Sequence, residues 1–280
     1  MKKKIGVLLI QGLGNSKIKE AKKIQQQLLQ ELDRIEPGFS DNIIFKDVDY
    51  HTAIQQNQEK LWNRMAVNGL RWSGMRRFCL HYLSDATSYQ HDPSKHPNTY
   101  QEIHQKILES LRFIDNVAGE EGFIPVVLGG SLGCMIINNY IWDAQKHKYL
   151  FDRSNARMTN PKAIESLQNL ELMITWGCNI PMFVSSLRQV SPIAAPVKAE
   201  QFEWFNYFDR DDILGWPLKP LGAAYASRVT EDIPFNVGVS PLGHTKYWSR
   251  PNRMARQTAR RIITMYQRYL SRAGSTRIAA

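Results

Sequence analysis

The chain has 280 residues, 43% of them hydrophobic, a net charge of +10 and three cysteines. That is enough apolar material for one buried α/β core, and no apolar run reaches the eighteen or more residues that a membrane-spanning helix needs. Cys79, Cys134 and Cys178 are odd in number, widely spaced and without CxxC pairing, so a reduced, cytoplasmic setting fits better than a disulfide scaffold or a zinc ribbon.

Taken in chain order, the start MKKKIGVLLI has the lysines of a signal peptide, but its apolar part is too short and no small-residue cleavage site closes it. It reads as a first strand, Ile5 to Ile10. A helical pattern over Ala21 to Ile35 and a strand over Ile43 to Val48 follow. From His51 to about Asn98 no strand is legible, although Leu61, Met65, Trp72, Met75, Cys79 and Tyr82 keep a rough helical spacing; residues 51–98 therefore read as a helical insertion. The remaining pattern is a helix over Tyr100 to Val117, a strand over Phe123 to Leu128, a helix over Cys134 to Gln145, strands over Leu170 to Thr175, Phe202 to Phe208 and Phe235 to Val239, and a helix over Met254 to Leu270. Such alternation predicts a single α/β domain, residues 1–280, with a doubly wound, mostly parallel sheet and a flexible tail over 273–280. The basic residues are dispersed apart from RQTARR near the C-terminus and MRRF at Met75 to Phe78, so a solvated basic face is favoured over a nucleic-acid site.

Two glycine turns carry chemistry. The first, Gln11-Gly12-Leu13-Gly14, follows a strand and precedes a helix, as a dinucleotide cradle requires. Lys17 stands where the third glycine of that fingerprint belongs, and Asp47 and Asp49 lie beyond the usual distance of the ribose acid. The second is Gly129-Gly130-Ser131-Leu132-Gly133, again between a strand and an apolar helix. This is the context of a nucleophile elbow, a tight turn whose serine is exposed and whose neighbours must be small. The plainer reading is an ordinary turn with a helix-capping serine. A serine nucleophile needs a base to take its proton and an acid to orient the base. Downstream of Ser131 the chain offers Asp209, Asp211 and Asp212 at the end of one strand and His244 in the loop after another.

In this order of motifs the sequence resembles the α/β-hydrolase superfamily, its lipase- and esterase-like members in particular. The resemblance implies a catalytic set of Ser131, Asp211 and His244, with Asp211 chosen because an aspartate, one residue and then aliphatics match Asp211-Asp212-Ile213-Leu214; Asp209 and Asp212 stay open as alternatives. It implies an oxyanion hole from the backbone N–H groups of Leu13 and Leu132, with Gly12 beside the substrate and Gln11 in the place of the family's usual histidine. The first glycine turn then reads as a donor loop. The expected reaction is cleavage of a carboxylic ester, of lipid or other acyl type, through an acyl-enzyme on Ser131, with no metal and no organic cofactor. A thioesterase, amidase or acyltransferase would use the same three residues, and an inert binding protein could keep the same fold. A patatin-like serine–aspartate dyad would need a later Asp-Gly pair, and the sequence has none.

Two further groups are weighed and set aside. His91, His96 and His104 with Asp92 lack any zinc-site register and read as solvated residues. Cys178 reads as a buried thiol. Residues 51–98 are expected to form a helical cap over the mouth of the site, with Trp62, Trp72, Met75, Phe78 and Tyr82 supplying apolar surface and Trp72 and Phe78 toward the substrate; the plainer reading is that these aromatics pack the insert's own core. The partners expected are a small-molecule ester or lipid, with no nucleic acid and no transmembrane segment; peripheral contact with anionic lipid and the oligomeric state are left open.

Overall fold

The structure, a computed structural model, describes residues 3–12, 17–50, 60–66, scattered positions between 71 and 89, and residues 99–152, 162–188, 190–194, 201–238, 243–249 and 253–278. Among them six strands pair side by side, all parallel, in the order β2-β1-β3-β4-β5-β6: β1 is Lys4–Ile10, β2 Ile43–Asp47, β3 Phe123–Gly130, β4 Leu172–Trp176, β5 Glu203–Phe208 and β6 Glu231–Pro234. The helices between them are α1 (Lys17–Ile35), α2 (Thr99–Ala118), α3 (Leu132–Lys146), the short α4 (Ile180–Val184) and α5 (Ala223–Arg228), and α6 (Arg253–Ile278).

The central strands β1, β3, β4 and β5 are mostly apolar because both faces are covered, whereas the edge strands β2 and β6 carry charged residues. Their period of two divides the core cleanly. Val7 and Leu9 of β1, Val126 and Leu128 of β3, Leu172 and Ile174 of β4, and Phe205 and Tyr207 of β5 face α1 and α6. Leu8, Ile10, Val127, Met173 and Trp204 face the opposite way, toward α2 and α3. After β1 the chain winds outward to β2, and from β3 onward it winds the other way. Strand order therefore reverses between β1 and β3, and a crevice opens there at the carboxyl edge of the sheet.

The arginines of the C-terminal basic stretch have structural work. Arg256 reaches Glu31 at 3.3 Å, Arg261 reaches Glu231 at 3.3 Å and lies 3.7 Å over the Phe205 ring, Arg268 clasps Glu203, and Arg272 reaches Glu171 at 3.1 Å. Three of those glutamates sit at the starts of β4, β5 and β6, so α6 is keyed to the amino edge of the sheet, opposite the crevice. Only Arg261–Glu231 is exposed at both ends, the other arginines meeting partly or fully buried glutamates; surface pairs with one solvated arm add little stability each, and their effect is on orientation.

On the other face, helices α2 and α3 enclose a polar knot. His104, fully buried, meets the Tyr89 hydroxyl at 2.9 Å through Nε2, while its Nδ1 stands 3.4 Å from Asp143 without forming a hydrogen bond. Tyr100 donates to Asp143 at 2.7 Å and stacks on Tyr89, which ties a residue of the 51–98 insertion into the body. Burial pushes the His104 imidazole down to about 3 and the Asp143 carboxyl up to about 6. His104 is therefore neutral at pH 7 despite its proximity to a carboxylate, and it is a helix-core residue, not the solvated histidine that the sequence suggested.

Other boundaries also differ from the sequence reading. The sixth strand is Glu231–Pro234, ending where the expected strand begins. As an edge strand it tolerates polar residues, and the apolar Phe235 and Val237 are buried in the segment beyond it. Helix α6 continues to Ile278, through most of the expected tail. Of the insertion, residues 60–66 are helical, with Trp62 buried and Leu61 and Met65 exposed; Trp72, Met75, Phe78 and Tyr82 lie outside the described residues. Among the described residues no helix is long and apolar enough to cross a membrane.

Candidate functional site

Four chain segments converge at the crevice, each from the carboxyl end of a strand. Ser131 sits between β3 and α3 with φ 54° and ψ −125°, a backbone conformation costing about 1–3 kcal/mol in a non-glycine residue. It is held there by its own N–H, which donates to the Trp176 carbonyl at 3.0 Å, and by its carbonyl, which accepts from Cys134 at 3.0 Å. The flanking glycines are needed unequally. A Cβ at Gly133 would strike the Ile10 carbonyl and one at Gly130 would strike the Trp176 indole, whereas Gly129 makes only ordinary contacts.

From Ser131 a chain of hydrogen bonds runs inward. Ser131 Oγ lies 2.6 Å from His244 Nε2, and His244 Nδ1 lies 2.9 Å from Oδ2 and 3.1 Å from Oδ1 of Asp212. His244 is borne on a short 3₁₀ turn, Gly243–Thr245, beyond β6. Asp212 lies in the loop after β5, where Oδ1 also accepts the Leu214 N–H at 3.0 Å and Oδ2 the Tyr247 hydroxyl at 2.9 Å. Burial opposes the charge on Asp212, but the hydrogen bonds from His244, Leu214 and Tyr247 outweigh it and hold the carboxyl below its ordinary value. An ionised Asp212 only accepts, so the Nδ1 facing it carries a proton and, in the neutral imidazole, Nε2 presents a lone pair to the serine. Both His244 and Asp212 are buried, while Ser131 is partly open to solvent.

The structure brings together Ser131, His244 and Asp212, and it leaves Asp211 out. Asp211 is exposed, and its N–H donates to Asp209 Oδ1 at 2.8 Å. Asp209 is buried and spends its other carboxylate oxygen on the Val237 N–H, pinning this loop to the segment that leads to His244. The turn closed by the Asp212 N–H on the Asp209 carbonyl sends residue 212 inward and residue 211 to solvent. The acid position is thus corrected from Asp211 to Asp212.

On the other side of Ser131 lies Gly12, so close that a Cβ there would overlap the Ser131 side chain and crowd the Leu132 N–H. Leu132 opens α3, and its N–H belongs to the first turn, which has no intrahelical acceptor. Leu13, the second expected donor, lies outside the described residues, as do Trp72 and Phe78. Gln11 is buried: with its amide turned so that both groups are satisfied, the oxygen accepts from the Ala21 N–H at 3.1 Å and the nitrogen donates to Glu20 at 3.3 Å, while its backbone carbonyl accepts from the Tyr50 hydroxyl. A glutamine therefore ties the end of β1 to the first turns of α1. The cleft above Ser131 and His244 is open to solvent and is walled by Trp176, Trp248, Gln11 and Glu20.

Sequence reading missed Tyr247, Trp248 and Glu20. Tyr247 and Trp248 follow His244 by three and four residues, which places them on the same side of one tight turn; that spacing is a signal the sequence does contain. Cys178 is fully buried behind the site, where its carbonyl accepts the Trp216 N–H at 2.9 Å and joins the loops after β4 and β5. Among the described residues no three His, Cys, Asp or Glu side chains converge as metal ligands. No protein-family model, curated protein or solved structure matches this chain, so its chemistry is read from the geometry alone.

Proposed function

We propose that the protein is a serine hydrolase of α/β-hydrolase type that cleaves a carboxylic ester through an acyl-enzyme on Ser131. The observation that carries this reading is the unbroken line from Ser131 Oγ to His244 at 2.6 Å and from His244 to the buried Asp212 at 2.9 Å. On attack, the Ser131 oxygen bonds to the ester carbonyl carbon while its proton passes to His244 Nε2. The resulting imidazolium is stabilised by Asp212, which keeps its charge. The tetrahedral oxyanion develops toward the Leu132 N–H, with the N–H of Leu13 as the second donor of this reading; losing one such donor costs about 3 kcal/mol. Collapse breaks the bond to the alcohol oxygen, which takes the proton from His244. Water, deprotonated by the same nitrogen, then attacks the acyl-enzyme and releases the acid.

The fold supports the assignment, because Gly12 after β1 and Ser131 after β3 meet at the point where strand order reverses, where α/β sheets hold ligands. Strand β2 delivers the 51–98 insertion at this same edge, and in this reading the insertion is a cap, with Trp72 and Phe78 toward the substrate. Exposure to a fluorophosphonate, intact-mass measurement and peptide mapping test the proposal. One adduct on Ser131, absent from Ser131→Ala, is the expected result; a folded protein that takes up no probe, or takes it up elsewhere, overturns it.

A further inference from the structure

We propose that Tyr247 is a positioning residue that acts through Asp212, as a fourth member of the Ser131–His244–Asp212 line; the inference rests on the serine-hydrolase reading above. The direction of its proton is fixed by its neighbours. The Asp209 backbone N–H can only donate, and it points at Tyr247 Oη from 2.9 Å. That oxygen must accept there, so the single hydroxyl proton is left for Asp212 Oδ2, also at 2.9 Å. Burial and the Asp212 charge both push the phenol upward, away from ionisation.

The contact is also held sterically. The Tyr247 ring stacks on Phe235 with centroids 5.9 Å apart. A Cβ at Gly215 would collide with both Asp212 Oδ2 and Tyr247 Oη, so the backbone of the acid loop closes directly over the pair. The Asp209 charge also pushes the phenol upward, but its carboxylate oxygens are bonded to the Asp211 and Val237 N–H groups, and Asp211 is exposed. Asp212 Oδ2 is therefore shared between His244 and Tyr247. Tyr247 fixes the plane of the carboxylate, and by taking up part of its charge it weakens the hold of Asp212 on the imidazolium.

Replacing Tyr247 by Phe keeps the ring and removes only the proton. With a turned-over ester, kcat should fall about tenfold with KM unchanged, because a carboxylate free to rotate no longer holds the imidazole in line with Ser131 and this loss outweighs its stronger attraction for the imidazolium. The acid limb of the kcat/KM profile should move to higher pH, because an unshared carboxylate stabilises the imidazolium more. In an Asp212→Asn background the same substitution should have almost no further effect on kcat. The activity-independent readout is the proton NMR resonance of His244 Nδ1–H, assigned by its loss in His244→Ala; it should move downfield in Tyr247→Phe. A lower melting temperature with the resonance unmoved, or additive losses in the double variant, would overturn the role. A shifted resonance in a protein that takes no fluorophosphonate would keep the Tyr247 contact while removing the hydrolase reading.

Discussion

Two buried His–Asp pairs stand among the described residues, and they behave in opposite ways. At the crevice, Asp212 collects three donors, His244, Leu214 N–H and Tyr247, and its carboxyl is held below the ordinary value. In the α2–α3 layer, Asp143 has the Tyr100 hydroxyl as its hydrogen-bonding side-chain donor, its carboxyl is pushed up to about 6, and His104 Nδ1 faces it from 3.4 Å without a hydrogen bond. Both pairs are removed from water, so burial alone does not separate them. The number and direction of donors to the carboxylate does. One pair is arranged to hold charge within reach of the Ser131 hydroxyl, and the other to keep an imidazole neutral inside a helix layer.

The largest expected difference is in turnover. His244→Ala and Ser131→Ala should each lower kcat by on the order of 10⁴- to 10⁶-fold, with the double variant little worse, since the two residues act as a unit. His104→Ala removes an imidazole from a packed layer and should instead lower the melting temperature, while the protein that remains folded keeps turnover within a few-fold. Stopped ester turnover in His104→Ala with the fold intact would show that the two pairs are not functionally separate.

The next effect concerns the acid alone. Asp212→Asn should drop kcat by about 10⁴-fold, because an amide can turn its NH₂ to the imidazole, favour the wrong tautomer and stabilise no positive charge. Asp211→Asn, at an exposed position, should change kcat less than about threefold. If the exposed residue gave the deeper loss, the crevice geometry would not be the working one.

Why the sequence pointed to Asp211 while the structure sets Asp212 against His244 follows from what constrains each position. Ser131 is announced by a strand, a glycine turn and a helix, all with local signatures, and the main helices and the first five strands likewise follow from period and turn residues. The choice among Asp209, Asp211 and Asp212 is made by an irregular loop. There the side-chain direction depends on the Asp209 turn and its tie to Val237, a contact 28 residues away in sequence. The polar edge strand β6 was missed for a related reason: half-exposed Glu231–Pro234 carries no hydrophobic period, and the apolar residues that followed it were the better imitation of a strand. His104 reads as solvated when it is grouped with His91, His96 and Asp92, whereas its environment comes from Tyr89 and Asp143, on either side of it in sequence.

The smallest expected effect is a pH-dependent difference in stability at the second pair, and its sign can be worked out group by group. His104 has a folded value near 3, below its unfolded value of about 6.5, so as pH falls through that interval the unfolded chain takes up a proton first and stability is lost. Asp143 has a folded value near 6, above its unfolded value of about 3.9, so as pH falls from 6 toward 4 the folded state takes up the proton first and stability is gained. Over that shared interval the two contributions largely cancel in the wild type. Asp143→Asn removes the second one. Its amide oxygen can still accept from Tyr100, and its NH₂ can donate to His104 Nδ1. At pH 8 the variant escapes a cost of about 3 kcal/mol at most, from a shift of about two units, and its melting temperature should rise by a few degrees. That advantage should shrink as pH is lowered and be nearly gone by pH 4, where the folded carboxyl is protonated and the unfolded one is about half so. Paired thermal melts of variant and wild type from pH 8 to pH 4 measure it; a difference that stays constant across the range would mean that Asp143 titrates alike in the folded and unfolded chain.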